Sequence, residues 1–197
     1  MEGSTGMRAD ARHNRERLLR VADETFRRDG VQASLTEIAR ACGIAIGTLY
    51  RHFPTREALL QALLHDRVTS LRENAERLSD SDTPREALVE WLQEFGRCAS
   101  AYQGLAESIL ATAAAEKSDL HACVESMRAA AGVLLARAQQ VGAVRPDVSP
   151  AEVFALACGA GAASQYVGAD PDRLLRLVVE GLTPPRTGPD GPPRPGR

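Results

Sequence analysis

Residues 34–56 read SLTEIARACGIAIGTLYRHFPTR, and the punctuation of this stretch decides the fold. Ser34 and Glu37 stand three apart, the spacing of a capping box in which each side chain satisfies a free backbone N–H at a helix start. Ile38, Ala39 and Cys42 form the apolar stripe of a short helix, and Gly43 ends it where a left-handed residue is wanted. A second helix is predicted from about Ala45 to Phe53, and Thr55 caps the segment after it. Two helices joined this tightly suit a helix-turn-helix, whose second helix enters the major groove of double-stranded DNA. The spacing points to a DNA-binding regulator.

The helical period sorts the second helix into two faces. Leu49 and Phe53 share the side that must be buried, with Ile46 and His52 beside them, while Gly47 and Arg51 lie opposite, flanked by Thr48 and Tyr50. Gly47 removes bulk, so the helix backbone can come close to a duplex. Arg51 can donate two parallel hydrogen bonds to a guanine edge, worth roughly 1–3 kcal/mol of discrimination. Thr48 and Tyr50 offer hydroxyls to phosphates or bases, and phosphate contacts fix register without reading sequence. On spacing alone, a plain helical hairpin with an exposed Arg and Tyr also fits.

The longer stretch GIAIGTLYRHFPTREALLQALL, residues 43–64, resembles the signature of the TetR family of bacterial transcriptional repressors. The resemblance rests on Thr36-Glu37-Ile38-Ala39, Gly47-Thr48-Leu49-Tyr50, His52-Phe53-Pro54 and Glu57-Ala58-Leu59-Leu60, and it is close over residues 12–65. It implies an all-helical homodimer with an N-terminal DNA-binding head and a larger effector-binding and dimerisation body. By matched position it implies phosphate contacts from Thr36, Tyr50 and Arg56, and it sets Gly47, Thr48, Arg51 and His52 along the groove. The chain departs from the pattern at Ala45, where relatives often carry a capping Ser or Thr, and at Ile46, which is apolar but able to touch a thymine methyl.

Composition adds limits. The 197 residues allow one domain or two small ones, and a net charge of −2 excludes a general polycation. Basic residues slightly outnumber acidic ones up to Glu57 and the balance beyond is negative, which suits a local DNA footprint on a non-basic body. Cys42, Cys98, Cys123 and Cys158 fit no C-x-x-C or zinc spacing and read as small buried hydrophobes kept reduced in a cytoplasm. A redox-sensing thiol at Cys98 or Cys158 is the alternative. The N-terminal MEGSTGMRADARH has no apolar run and is not a secretory signal.

Taken whole, the chain reads as all-α, a string of about nine helices including the helix-turn-helix pair, with no alternating strand pattern. The first is predicted from Arg12 to Asp29, with Leu18, Leu19, Ala22 and Phe26 inward. A long helix follows Thr55 to about Leu78. Thr83-Pro84, Ser149-Pro150 and Asp170-Pro171 each place a capping residue before a proline at the first helical position, and Glu86 and Glu152 complete two of the boxes. Gly104 separates two helices, Ser118 begins another, and that one ends near Gly142. The expected organisation is a flexible N-terminus (1–11), a helix-turn-helix DNA-binding domain (12–56), a ligand-binding and dimerisation domain (57–182) and a disordered Pro/Gly/Arg tail (183–197).

Residues 153–169 carry no charge, yet the stretch is too short and too rich in Gly, Ala, Ser and Gln to span a membrane. Ala151, Ala155, Gly159, Ala162 and Tyr166 recur along one face of this helix, and Leu174, Leu177, Val178 and Leu182 form a stripe on the next. These last two helices are expected to pair with their copies about a two-fold axis. Trp91, Phe95, Tyr102, Leu105, Ile109, Met127, Leu134, Phe154 and Cys158 are the candidate walls of a mainly apolar effector pocket, with Tyr102, Gln165 or His121 for a polar contact. For each wall residue, ordinary core packing is the competing reading. No Ser-His-Asp setting, phosphate-cradling Gly loop or metal-ligand spacing is present, so neither an enzyme nor a cofactor or metal is expected. The rival to a regulator is a helical partner-binding protein whose head has lost DNA affinity.

Overall fold

The computed structural model describes residues 3–113 and 120–183. Among these the chain is entirely helical: α1 (Gly3–Asp29), α2 (Leu35–Ala41), α3 (Ile46–His52), α4 (Arg56–Leu78), α5 (Pro84–Ala99), α6 (Leu105–Ala113), α7 (His121–Gln140), α8 (Pro150–Val167) and α9 (Pro171–Gly181). The all-α expectation and the positions of α2 to α9 hold to within a few residues. The proposed Ser118 start and all of the tail beyond Thr183 lie outside the described residues.

The local signals act at the helix ends much as their chemistry dictates. Ser34 Oγ accepts the Glu37 N–H at 3.3 Å, and Thr55 Oγ1 accepts the Ala58 N–H at 2.9 Å. Ser149 and Glu152 close a full reciprocal box at the start of α8. Gly43 ends α2 at φ +66°, in the left-handed region where a Cβ is strained. Two expectations fail. Thr83 makes no capping bond to α5, because its hydroxyl and N–H both turn to Ser81 Oγ. And α1 begins at Gly3 rather than Arg12: residues 7–12 hold no proline and are mostly strong helix formers, so extending the helix upstream costs little.

The core is continuous from head to body. In the head, Leu18, Ala22 and Phe26 of α1 meet Leu35, Ile38 and Ala39 of α2, Leu49 of α3, and Leu59 and Leu60 of α4, all buried. Leu19, expected inward, is only half-buried at the core's edge. Below the head, α5 is the central element and packs against α4, α7, α8 and α9. Helix α8 buries Val153, Phe154, Ala157 and Cys158 against this core. Its other side is bare in the single chain, where Ala155, Leu156, Gly159 and Tyr166 are exposed. Among the described residues no helix is long and apolar enough to cross a membrane.

Candidate nucleic-acid interface and effector region

Helix α3 turns its two faces as its period requires. Leu49 is fully buried and anchors the helix, while Gly47, Tyr50 and Arg51 are exposed and Thr48 is half-buried beside them. Arg51 has no hydrogen-bond or ion-pair partner among the described residues, so its guanidinium is uncommitted. Ala45 provides no side-chain cap, leaving the N–H groups at the start of α3 without a side-chain acceptor. Thr36 is exposed in the first turn of α2.

Two members of the expected set point elsewhere. Arg56 is a strut: its Nη1 donates to the carbonyl oxygens of Val31 and of Ala33, the latter at 2.7 Å, and the guanidinium lies 6.0 Å from the Phe26 ring centroid. Charge-assisted bonds of this kind are roughly twice as strong as neutral ones, so this arginine holds the α1–α2 turn. His52 is half-buried and faces a cleft shared with Arg15, Leu19, Gln61 and His65, away from the Arg51 side. Sequence reasoning also missed Arg17, whose Nη2 donates to Cys42 O at 2.6 Å and ties α1 to the end of α2. An arginine beside the inner stripe of α1 was the available signal.

The effector candidates are all interior, none more than 3 % exposed. They do not form one wall. Trp91 and Phe95 stack with centroids 5.5 Å apart and planes 7° from parallel, and Phe154 adds a third ring 4.6 Å from Phe95. The indole N–H donates to Leu71 O at 2.9 Å, so even its polar atom is satisfied. Tyr102 belongs to a different neighbourhood. Its hydroxyl donates to Asp23 Oδ1 at 2.5 Å, and its ring meets Phe26 edge-on at 6.0 Å, under the head. Gln165 is committed as well, donating to the carbonyl oxygens of Ser100 and Tyr102. His121 carries a buried open atom: its Nδ1 is unbonded, as is Glu125 Oε1 one turn along α7.

Burial disfavours the thiolate at all four cysteines. Burial pushes the Cys98 thiol up to about 11 and that of Cys158 to about 12, and it raises Cys42 and Cys123 too. Reactivity requires the thiolate. Only the half-buried Cys123 is therefore expected to react when the native protein is titrated with a thiol reagent near neutral pH, the other three appearing after denaturation. Fast native labelling of Cys98 or Cys158 would restore the redox reading.

On the outer surface, α8 and α9 leave an open groove of about 820 Å³, lined by Leu156, Gly159, Ala163, Leu174, Leu177 and Leu182 among others. It takes in Ala155 and Gly159 of the stripe expected on α8 and all four residues of the stripe on α9, but not Ala151, Ala162 or Tyr166. Leu156 and Leu177 are 41 % and 54 % exposed there, and Tyr166, farther along α8 and outside the groove, is 71 % exposed.

A three-helix head that buries Leu49 beneath an exposed Gly47–Arg51 face, set on an all-helical body, defines a helix-turn-helix DNA-binding protein. Comparison with known proteins agrees. Residues 18–63 match the family described as bacterial regulatory proteins, tetR family, and residues 83–184 match the SbtR-like transcriptional regulator C-terminal domain. The chain is 34 % identical over 152 residues to the HTH-type transcriptional regulator UidR of Escherichia coli (strain K12), covering 74 % of this chain and 76 % of that protein. It is also similar to the crystal structure of the TetR transcriptional regulator SCO0520 from Streptomyces coelicolor, with 34 % identity, a TM-score of 0.56, and coverage of 86 % and 98 % of the two chains. The fold recurs, at 18 % identity, in FadR from Bacillus subtilis in complex with stearoyl-CoA, with a TM-score of 0.61 over 85 % of this chain and 97 % of that one. The chain belongs to the TetR family of transcriptional regulators.

Proposed function

We propose that this protein is a ligand-responsive repressor that binds a near-palindromic operator as a homodimer and is released by a small, mainly apolar effector. The head of residues 12–56 reads DNA, and the body of residues 57–182 pairs and senses. The observation that carries the reading is the uncommitted Arg51 on the exposed face of α3, directly over buried Leu49. Thr36, Gly47, Thr48 and Tyr50 complete the contact set, while His52 and Arg56 act from behind it. The bare α8–α9 groove supports a two-fold partner, which sets two α3 helices on successive half-sites. As a regulator of transcription it works in the cytoplasm, with the chromosome.

The effector reading is supported by the apolar shell around Leu105, Ile109, Met127 and Leu134 and by the open polar atom of His121. The aromatic stack leaves little space in the described state, so an effector favours another state. Moving the equilibrium from 99:1 to 1:99 takes about 5.5 kcal/mol of preferential binding to the released form. A helix as long as α4, which starts at the reader helix and ends in the body, suits transmission of that change.

The test is direct. Arg51→Ala and Tyr50→Ala, each measured against a duplex from the region upstream of the protein's own gene, are expected to weaken binding, Arg51→Ala by roughly 5- to 150-fold given ~1–3 kcal/mol for a good base contact. Affinity is expected to fall steeply with added salt. If both variants bind as tightly as wild type, the assigned face of α3 is not the reading face.

A further inference from the structure

The five residues between α5 and α6, 100–104, are bonded in two directions at once. On one side, Gln165 of α8 reaches across with its amide Nε2, donating to Ser100 O at 2.9 Å and to Tyr102 O at 3.2 Å. On the other, the turn grips the head. Gln103 O accepts the Val31 N–H at 2.9 Å, and the Tyr102 hydroxyl donates to Asp23 of α1. The fit is too close for slack: a Cβ placed on Gly30, which holds φ +78°, would lie 2.9 Å from Gln103 O. Asp23 is itself held by Arg27 at 2.8 Å, and the Arg27 guanidinium lies 5.8 Å from the Tyr102 ring centroid.

The Val31 backbone is thereby held on both sides of its Cα. Its N–H goes to the 100–104 turn, and its carbonyl accepts from Arg56 at the start of α4. Four residues later α2 begins, and α2 carries α3. Burial pushes the Asp23 carboxyl up, but the hydrogen bonds from Arg27 and Tyr102 and the charges of Arg27 and Arg67 outweigh it, leaving the group below its ordinary value and ionised. The Tyr102–Asp23 bond therefore runs from a neutral phenol to a carboxylate, a strong type.

We infer that the 100–104 turn is a coupling element joining α8 to the α1–α2 junction, with Gln165 as its positioning residue, in parallel with α4. Gln165 neighbours Tyr166 on the bare side of α8, so any partner that packs there bears on the helix that holds the turn. The consequence for operator affinity rests on the repressor reading; the mechanical link itself does not.

The experiment uses the full chain. Gln165 is exposed, so Gln165→Ala leaves the subunit folded, and Tyr102→Phe removes only one oxygen. Amide hydrogen exchange is followed at Val31, with α9 as internal control. In both variants exchange at Val31 is expected to speed up roughly tenfold, the scale of losing ordinary hydrogen bonds, while α9 is unchanged. Unchanged exchange at Val31 in both variants overturns the coupling. Duplex binding is measured on the same samples. If Val31 responds but wild type shows no specific binding, the coupling stands and the repressor reading fails. If wild type binds specifically and Val31 does not respond, the reverse holds.

Discussion

Leu177→Glu is expected to convert the protein to a monomer and to remove high-affinity operator binding. In the isolated chain Leu177 is 54 % exposed on α9 and faces the groove shared with Leu156, Gly159 and Leu174. Burying one leucine against a partner is worth roughly 1.5–3 kcal/mol, and the substitution also places a carboxylate in an apolar seam, which costs several kcal/mol more unless it is paired. In a two-fold interface the change is made twice, because both copies present the same patch. A total above about 4 kcal/mol corresponds to roughly a thousandfold loss of association. The subunit itself is little affected, since surface substitutions are usually within about 0.5 kcal/mol of neutral. Sedimentation equilibrium with the duplex assay checks both halves. Arg176→Glu, on the side of α9 that faces α5 rather than the groove, is the control that stays dimeric. A Leu177→Glu protein that remains a dimer would move the interface off α8 and α9.

What was legible in the sequence was local. Caps at Ser34, Thr55, Ser149 and Asp170 act within a single turn, so the starts of α2, α4, α8 and α9 could be read to the residue. The buried side of α3 followed from period alone. Failures begin where a residue's partner is far along the chain. The hydroxyl of Tyr102 is claimed by Asp23, 79 residues upstream, and nothing in the surroundings of either residue announces it. Arg56 sits at a position from which an arginine can reach outward to a phosphate or back to a carbonyl. In the structure it reaches back to the α1–α2 turn, 23 to 25 residues earlier. The pocket was beyond reach for a different reason. Helical period says which side chains turn inward, but whether they leave a hole depends on packing at the scale of a single methyl group. Trp91, Phe95 and Phe154 were correctly read as inward; that they stack on one another was not.

Trp91→Ala is expected to be the most damaging single change in the body. The side chain is fully buried, and truncating a core tryptophan typically costs about 3–5 kcal/mol through lost transfer energy and the cavity left behind. The substitution also removes the indole N–H bond to Leu71 O, a carbonyl inside α4 that keeps its own intrahelical bond, so this loss adds only about 0.5–1.5 kcal/mol. Near a chain length of 197, each kcal/mol moves the melting point by about 2–4 °C, so a drop on the order of 10 °C or more is expected in thermal unfolding. The space vacated is walled by Phe95 and its apolar neighbours, and apolar cavities stay dry and accept small apolar guests. Indole should therefore raise the melting point of Trp91→Ala while leaving wild type unmoved. That contrast separates two accounts of the same rings. If the stack is closed core, only the variant responds. If indole also stabilises wild type at similar concentration, the rings already part to admit a ligand, and the effector site lies among them rather than towards His121.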